Sequence, residues 1–145
     1  MTSPEEGERD GGSVRDVNDD ERCPCGSGDT YGTCCGPLHR GEAVAPTAER
    51  LMRSRFTAFV LHDARYLLAT WHPTTRPPRL HLDADVRWLR LLILGHSAGG
   101  PFDDEGTVEF EAIFRTADGR GVQHENSRFV REDGRWVYVS GVVAD

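Results

Sequence analysis

Val108-Glu109-Phe110-Glu111-Ala112-Ile113-Phe114, followed shortly by Asp118-Gly119, is the stretch that decides the fold. Val108, Phe110, Ala112 and Phe114 alternate with Glu109 and Glu111, the period-two signature of a strand with one buried and one wet face. Asp-Gly favours a tight hairpin because its residues tolerate positive φ. The same pair returns at Asp133-Gly134. Strands are therefore predicted near 107–116, 121–131 and 135–143, joined as an antiparallel meander. Upstream, Trp88 to Leu94 is apolar enough to predict a buried strand, and Gly95 to Gly106 reads as a polar loop around Gly99-Gly100-Pro101.

N-terminal to the strands the period changes. Met52, Phe56, Phe59 and Val60 fall at i, i+4, i+7 and i+8, an apolar stripe of helical spacing. Thr47 can cap this helix, and Glu49 sits near its positive end. Arg50, Arg53 and Arg55 spread around the other faces, where they are read as solvated or internally ion-paired. Asp63 offers a second cap, for a short helix from Ala64 to Trp71 that stops before Pro73. Helices followed by a meander define an α+β domain, its helices packed on a curved antiparallel sheet.

All four cysteines lie in Cys23-Pro24-Cys25-Gly26-Ser27-Gly28-Asp29-Thr30-Tyr31-Gly32-Thr33-Cys34-Cys35-Gly36. Gly26, Gly28 and Gly32 are expected to supply positive φ for the reversal, with Ser27 bonding locally. Disulfides from adjacent Cys34 and Cys35 back to Cys23 and Cys25 would be strained. The start of the sequence is acidic and lacks an apolar run, so a cytoplasmic setting is expected. In that setting clustered thiols bind metal or do redox chemistry rather than cross-link. Four thiolates suit one tetrahedral zinc ion, and four protein ligands leave no position for substrate water, so the zinc would be structural. Tyr31 and Leu38 are the only large apolar side chains nearby, whereas structural zinc supplies roughly 10–16 kcal/mol of folding energy. His39, four residues past Cys35, is an alternative fourth ligand. Redox-active thiols are the alternative chemistry.

Cys-Pro-Cys-Gly-Ser-Gly, then Tyr31, then Cys34-Cys35-Gly36, resembles the SEC-C motif, named for the zinc-binding C-terminus of the SecA translocase. The resemblance implies Cys23, Cys25, Cys34 and Cys35 as zinc ligands. The translocase motif ends on a histidine where this chain has Cys35. That motif is also basic and docks on an acidic chaperone, whereas Asp29 and an acidic tail surround it here. Further along, Ala45-Pro46-Thr47-Ala48-Glu49, Leu51-Met52-Arg53-Ser54-Arg55-Phe56, Tyr66 to Pro73, and His124-Glu125-Asn126-Ser127-Arg128-Phe129 with Glu132-Asp133-Gly134-Arg135-Trp136 are similar to the YchJ family. That family couples a SEC-C motif to a domain of the nuclear transport factor two-like fold. The resemblance implies a cone-shaped domain with a cavity between helices and sheet. The expected organisation is a disordered acidic tail (1–20), a zinc knuckle (21–40), a linker (41–46) and the cavity domain (47–145).

Charge narrows the partners. The chain carries −7, of which residues 1–20 hold −5, from seven acids against Arg9 and Arg15. Such a balance argues against generic nucleic-acid binding, which phosphate attraction drives. No apolar run reaches the roughly eighteen residues of a membrane span. The chain contains no lysine, so lysine Schiff-base chemistry is excluded. His72, His124, Glu125, Arg128 and Tyr138 are the polar candidates for the cavity. Strand parity puts Glu125, Ser127 and Phe129 on one face, the inner one, and His124, Asn126 and Arg128 on the other. Two functions follow as expectations. One is a zinc-containing binding or interaction protein, with a protein partner for the knuckle and a small apolar ligand for the cavity. The other is a small isomerase or hydrolase using Glu125 or His72 as acid–base groups.

Overall fold

Four antiparallel strands, β1 (Arg87–Ala98), β2 (Glu105–Thr116), β3 (Gly119–Glu132) and β4 (Arg135–Val143), form one sheet in the order β1-β2-β3-β4. The coordinates are those of a computed structural model that describes residues 16–143. Both Asp-Gly pairs lie at hairpins, in different ways. Asp133 at φ 53 and Gly134 at φ 78 form the mirror-image turn that suits strand twist. Thr116 pairs with Gly119, so Ala117 and Asp118 make the other loop and Gly119 follows it at φ 118.

Among the described residues three α-helices precede the sheet: α1 (Cys35–His39), α2 (Ala48–Val60) and α3 (Ala64–Ala69). The Thr47 hydroxyl accepts from the Arg50 amide at 3.1 Å and starts α2. Asp63 starts α3 by accepting from the Tyr66 amide at 3.1 Å. Leu51, Met52, Phe56 and Val60 of α2 pack on the sheet's inner face, against Leu91, Val108, Phe110, Ala112, Phe129 and Trp136. Register shifts between Trp88 and Arg90, Ile93 and Gly95, and Arg128 and Phe129 bend the strands around the helix.

Three expectations need correction. The segment Trp88–Leu94 is not a buried strand. It belongs to an edge strand in which Leu91 is buried while Leu89 and Leu94 are 40% and 49% exposed. The expected loop Gly95–Gly106 is shorter, because β1 runs on to Ala98 and pairs it with Gly106. A Cβ at Gly106 would collide with the Gly99 backbone, so glycine permits that approach. Finally, α3 stops at Ala69. The chain then turns into a parallel bridge in which the His72 amide donates to the Tyr138 carbonyl at 2.7 Å and the Tyr138 amide to Thr70 at 2.8 Å.

The knuckle sits on the same core helix. Its two strands meet at an Arg22–Thr30 bridge, with the Cys23 amide donating to the Asp29 carbonyl at 2.9 Å. The segment 41–46 is pinned: Ala45 is buried and the Pro46 carbonyl accepts from Trp136 Nε1 at 3.3 Å. The disordered tail expected over 1–20 falls mostly on residues 1–15, which lie outside the described residues. Its remaining part is tied down, Val17 against the knuckle core and the Asp19 carbonyl to the Gly32 amide at 2.9 Å.

Candidate metal centre and cavity

The short knuckle hairpin brings Cys23 and Cys25 to face Cys34 and Cys35, which lie at the start of α1. The four sulfurs lie within 4.8 Å of one another, and all four residues are buried. Cys25 and Cys34 Sγ are 3.6 Å apart, and Cys34 and Cys35 Sγ 3.9 Å apart. No disulfide links any of them. Gly26 and Gly28 have φ of 80 and 97, as the reversal needs. Gly32 does not adopt positive φ; it is glycine because a Cβ there would lie 2.7 Å from Asp19 Cβ. Ser27 Oγ accepts from the Asp29 amide and lies 3.2 Å from Cys34 Sγ.

Crowded sulfurs share their protons. Hydrogen bonds from Cys23 and then Cys35 hold the Cys25 thiol far below its ordinary value. The same bond to Cys25 pushes Cys23 up to about 11, and bonds to Cys23 and Cys25 push Cys35 up further. A cation replaces those shared protons when it binds. The cluster could therefore hold a metal ion. His39 is not part of it. Its Nδ1 meets the Tyr31 hydroxyl at 2.7 Å and its Nε2 the Ser54 carbonyl at 2.8 Å. Because a carbonyl only accepts, Nε2 carries the proton and Tyr31 donates to Nδ1. Burial lowers the His39 pKa and keeps the ring in that neutral form.

Helix α2 presents different residues to the knuckle and to the cavity. Arg50, Arg53 and Thr57, at i, i+3 and i+7, meet the knuckle. Arg50 Nη1 donates to Cys34 Sγ at 3.1 Å and Nη2 to the Cys34 carbonyl at 3.2 Å. Arg53 Nη1 donates to the Cys25 carbonyl at 2.9 Å, and Thr57 Oγ1 lies 3.8 Å from Cys23 Sγ. The solvated reading of these arginines is thus incomplete: only the Arg53–Glu49 pair, at 3.1 Å, fits it.

Met52, Arg55, Phe56 and Phe59 line a cavity of about 210 Å³ between α2 and the sheet. Trp71, Leu80, Trp88, Phe110, Ala112, Gln123, Glu125, Ser127 and Tyr138 complete its wall. Arg55 is 3% exposed. Its guanidinium lies 4.6 Å from the Tyr138 ring centre and 5.3 Å from that of Trp71. Nη1 donates to the Leu67 carbonyl at 2.7 Å and to Thr70 Oγ1 at 2.6 Å. Burial lowers its pKa to about 10, so it stays charged at neutral pH.

The sequence candidates separate. Glu125 lines the cavity, with Gln123 Nε2 donating to it at 3.4 Å. Burial raises its pKa, while Gln123 and Arg55 oppose the rise. Its carboxylate lies over Gly141, where any Cβ would clash with it. Tyr138 shares the cavity, whereas His124 and Arg128 face outward to Glu109 at 2.7 Å and Glu105 at 3.3 Å. His72 is not part of the lining: its Nε2 pairs with Glu132 at 2.9 Å and its Nδ1 accepts from Thr74. Of the residues missed, Arg55 was legible, since it falls with 52, 56 and 59 on one helical face. Among the described residues no helix is long and apolar enough to cross a membrane.

A cavity domain with a four-cysteine knuckle at its N-terminal side is the class that fold and site define. Family comparison matches residues 47–141 to the YchJ middle NTF2-like domain and residues 21–37 to the SEC-C motif. The chain belongs to the YchJ family. A UPF0225 protein of Corynebacterium glutamicum is 54% identical over 123 residues, covering 85% of this chain and 98% of that one. One of Streptomyces coelicolor is likewise 54% identical over 123 residues, with 85% and 96% covered. The solution structure of a SEC-C motif containing protein from Rhodopseudomonas palustris superposes with a TM-score of 0.75 at 38% identity, covering 85% of this chain and 98% of that one. A SEC-C motif containing protein crystallised from Psychrobacter arcticus gives 0.71 at 29% identity, with 88% and 85% covered.

Proposed function

We propose that this is a zinc-braced ligand-binding protein, its knuckle a structural clamp and its cavity the binding site for a small, mainly apolar molecule. The observation that carries this reading is the division of α2, whose Arg50 and Arg53 grip the knuckle while Arg55 and Phe59 form cavity wall. Whatever fixes the knuckle also fixes the wall. Zinc suits the donor set: a tetrahedron of sulfurs at about 2.3 Å from zinc has edges of about 3.8 Å; two of the sulfur pairs here stand 3.6 and 3.9 Å apart and all lie within 4.8 Å. Four thiolates around a divalent ion leave a net negative charge, which the Arg50 guanidinium offsets from outside. The exposed side of the knuckle remains available to a protein partner, and the cytoplasm is the compartment that keeps such thiols reduced.

X-ray absorption and metal analysis of the full chain test the metal. One zinc per chain with sulfur-only coordination is expected. Substoichiometric zinc, or a nitrogen ligand from His39, contradicts the clamp. A second reading, proton transfer by Glu125 in the cavity, is favoured by its carboxyl lacking any ion-pair partner among the described residues and by its raised pKa. Turnover abolished by Glu125→Gln with ligand affinity unchanged would establish it over binding alone.

A further inference from the structure

The cavity lining is over-supplied with hydrogen-bond donors. Among the described residues, Arg55 bonds to protein only through Nη1 and forms no ion pair, although Glu125 lines the same cavity. The Tyr138 and Trp71 rings lie against its guanidinium, and its Nη2 and Nε make no hydrogen bond to the described residues. Two further cavity residues hold buried polar atoms without a hydrogen-bond partner among the described residues: Trp71 Nε1 and Ser127 Oγ. A buried polar atom is costly to leave without a partner, so two in one lining, beside a cation that forms no ion pair, mark where a ligand belongs.

We propose that these donors form an anion subsite, and that the cavity takes a small carboxylic acid whose carboxylate meets the free edge of Arg55, with Trp71 Nε1–H and Ser127 Oγ–H as the other donors. The inference rests on the cavity being a ligand site and adds the chemical class of the ligand. A guanidinium edge matches a planar carboxylate bidentately. Met52, Phe56, Phe59 and Phe110 wall the remaining space, which rewards a hydrocarbon body and not a bare inorganic anion. Glu125 lines the same cavity, and when ionised it would compete with the ligand's carboxylate for Arg55.

The test is an NMR titration of the full metal-loaded chain with 3-phenylpropionate, 3-phenylpropanamide and inorganic phosphate in turn. The acid should bind about tenfold more tightly than the amide, as a charge-assisted bond predicts, and should shift the Trp71 indole N–H. Arg55→Gln should erase that preference. Because Arg55 also holds Leu67 and Thr70, Ser127→Ala is the second variant. It removes an unsatisfied hydroxyl, so it should raise the melting temperature while weakening the acid roughly threefold to tenfold. Acid and amide binding equally overturns the anion subsite and leaves the apolar cavity standing. Phosphate binding without the acid overturns the carboxylate assignment. If neither organic probe binds, the ligand-site reading falls as well.

Discussion

Gly141 shows how one position can be set by a neighbour's side chain. It pairs with Ser127 across β3 and β4, and the Glu125 carboxylate occupies the space a Cβ would need. Gly141→Ala should therefore cost about 1–3 kcal/mol by overpacking. Adding Glu125→Ala should recover most of that loss, which urea unfolding of the single and double variants measures. Additive losses would show that the two residues do not compete. Glu125 also gives stability a pH dependence. Burial raises its pKa on folding, so the unfolded chain gives up the proton first as pH rises. Its contribution is full below the ordinary glutamate value and is lost as pH climbs through the raised one. Melting temperatures from about pH 4 to 7 should show Glu125→Gln gaining on the unsubstituted protein as pH increases. A constant difference would contradict this. The inner placement of Glu125 was legible from strand parity alone, because Phe129 fixes which face is buried. The roles of Gly141, Trp71 and Ser127 were not, since each depends on what another strand or turn places opposite.

At the scale of elements, α2 is the part that sequence periodicity described least completely. The apolar stripe Met52, Phe56, Phe59 and Val60 predicted one buried face; three of the four are buried, and Phe59 is half-buried at the cavity. Yet Ser54, Arg55 and Thr57 are buried too, because knuckle and α3 cover the sides that a lone amphipathic helix would give to water. The arginine spacing 50, 53 with Thr57 is itself helical, but it signals a partner only once the knuckle is known to lie alongside. Strand boundaries failed for a related reason: β1 extends past Gly95 because Gly99 and Gly106 let backbones approach, a fact about pairs of residues. The clamp makes a direct prediction. Arg50→Gln removes the bonds to Cys34 Sγ and its carbonyl and should weaken metal affinity about 10–100-fold, as loss of an outer-shell partner does. Competition with a chromophoric chelator measures it; unchanged affinity would make Arg50 a bystander.

For the molecule as a whole, the knuckle and cavity domain share a helix and behave as one construction. A few apolar groups, Val17, Tyr31 and Leu61 among them, pack around the four cysteines. That is little to hold the hairpin against conformational entropy of about 1–2 kcal/mol per residue. A bound ion supplies the difference in this account, and through Arg50 and Arg53 it steadies the wall of a site on the far side of α2. Amide hydrogen exchange of the full chain, metal-loaded and after chelation, tests this most directly. Chelation should abolish protection across residues 21–40 and also lower it along α2, at Arg55 and Phe56 in particular. Protection in α2 that survives unchanged, while the knuckle alone melts, would contradict the brace.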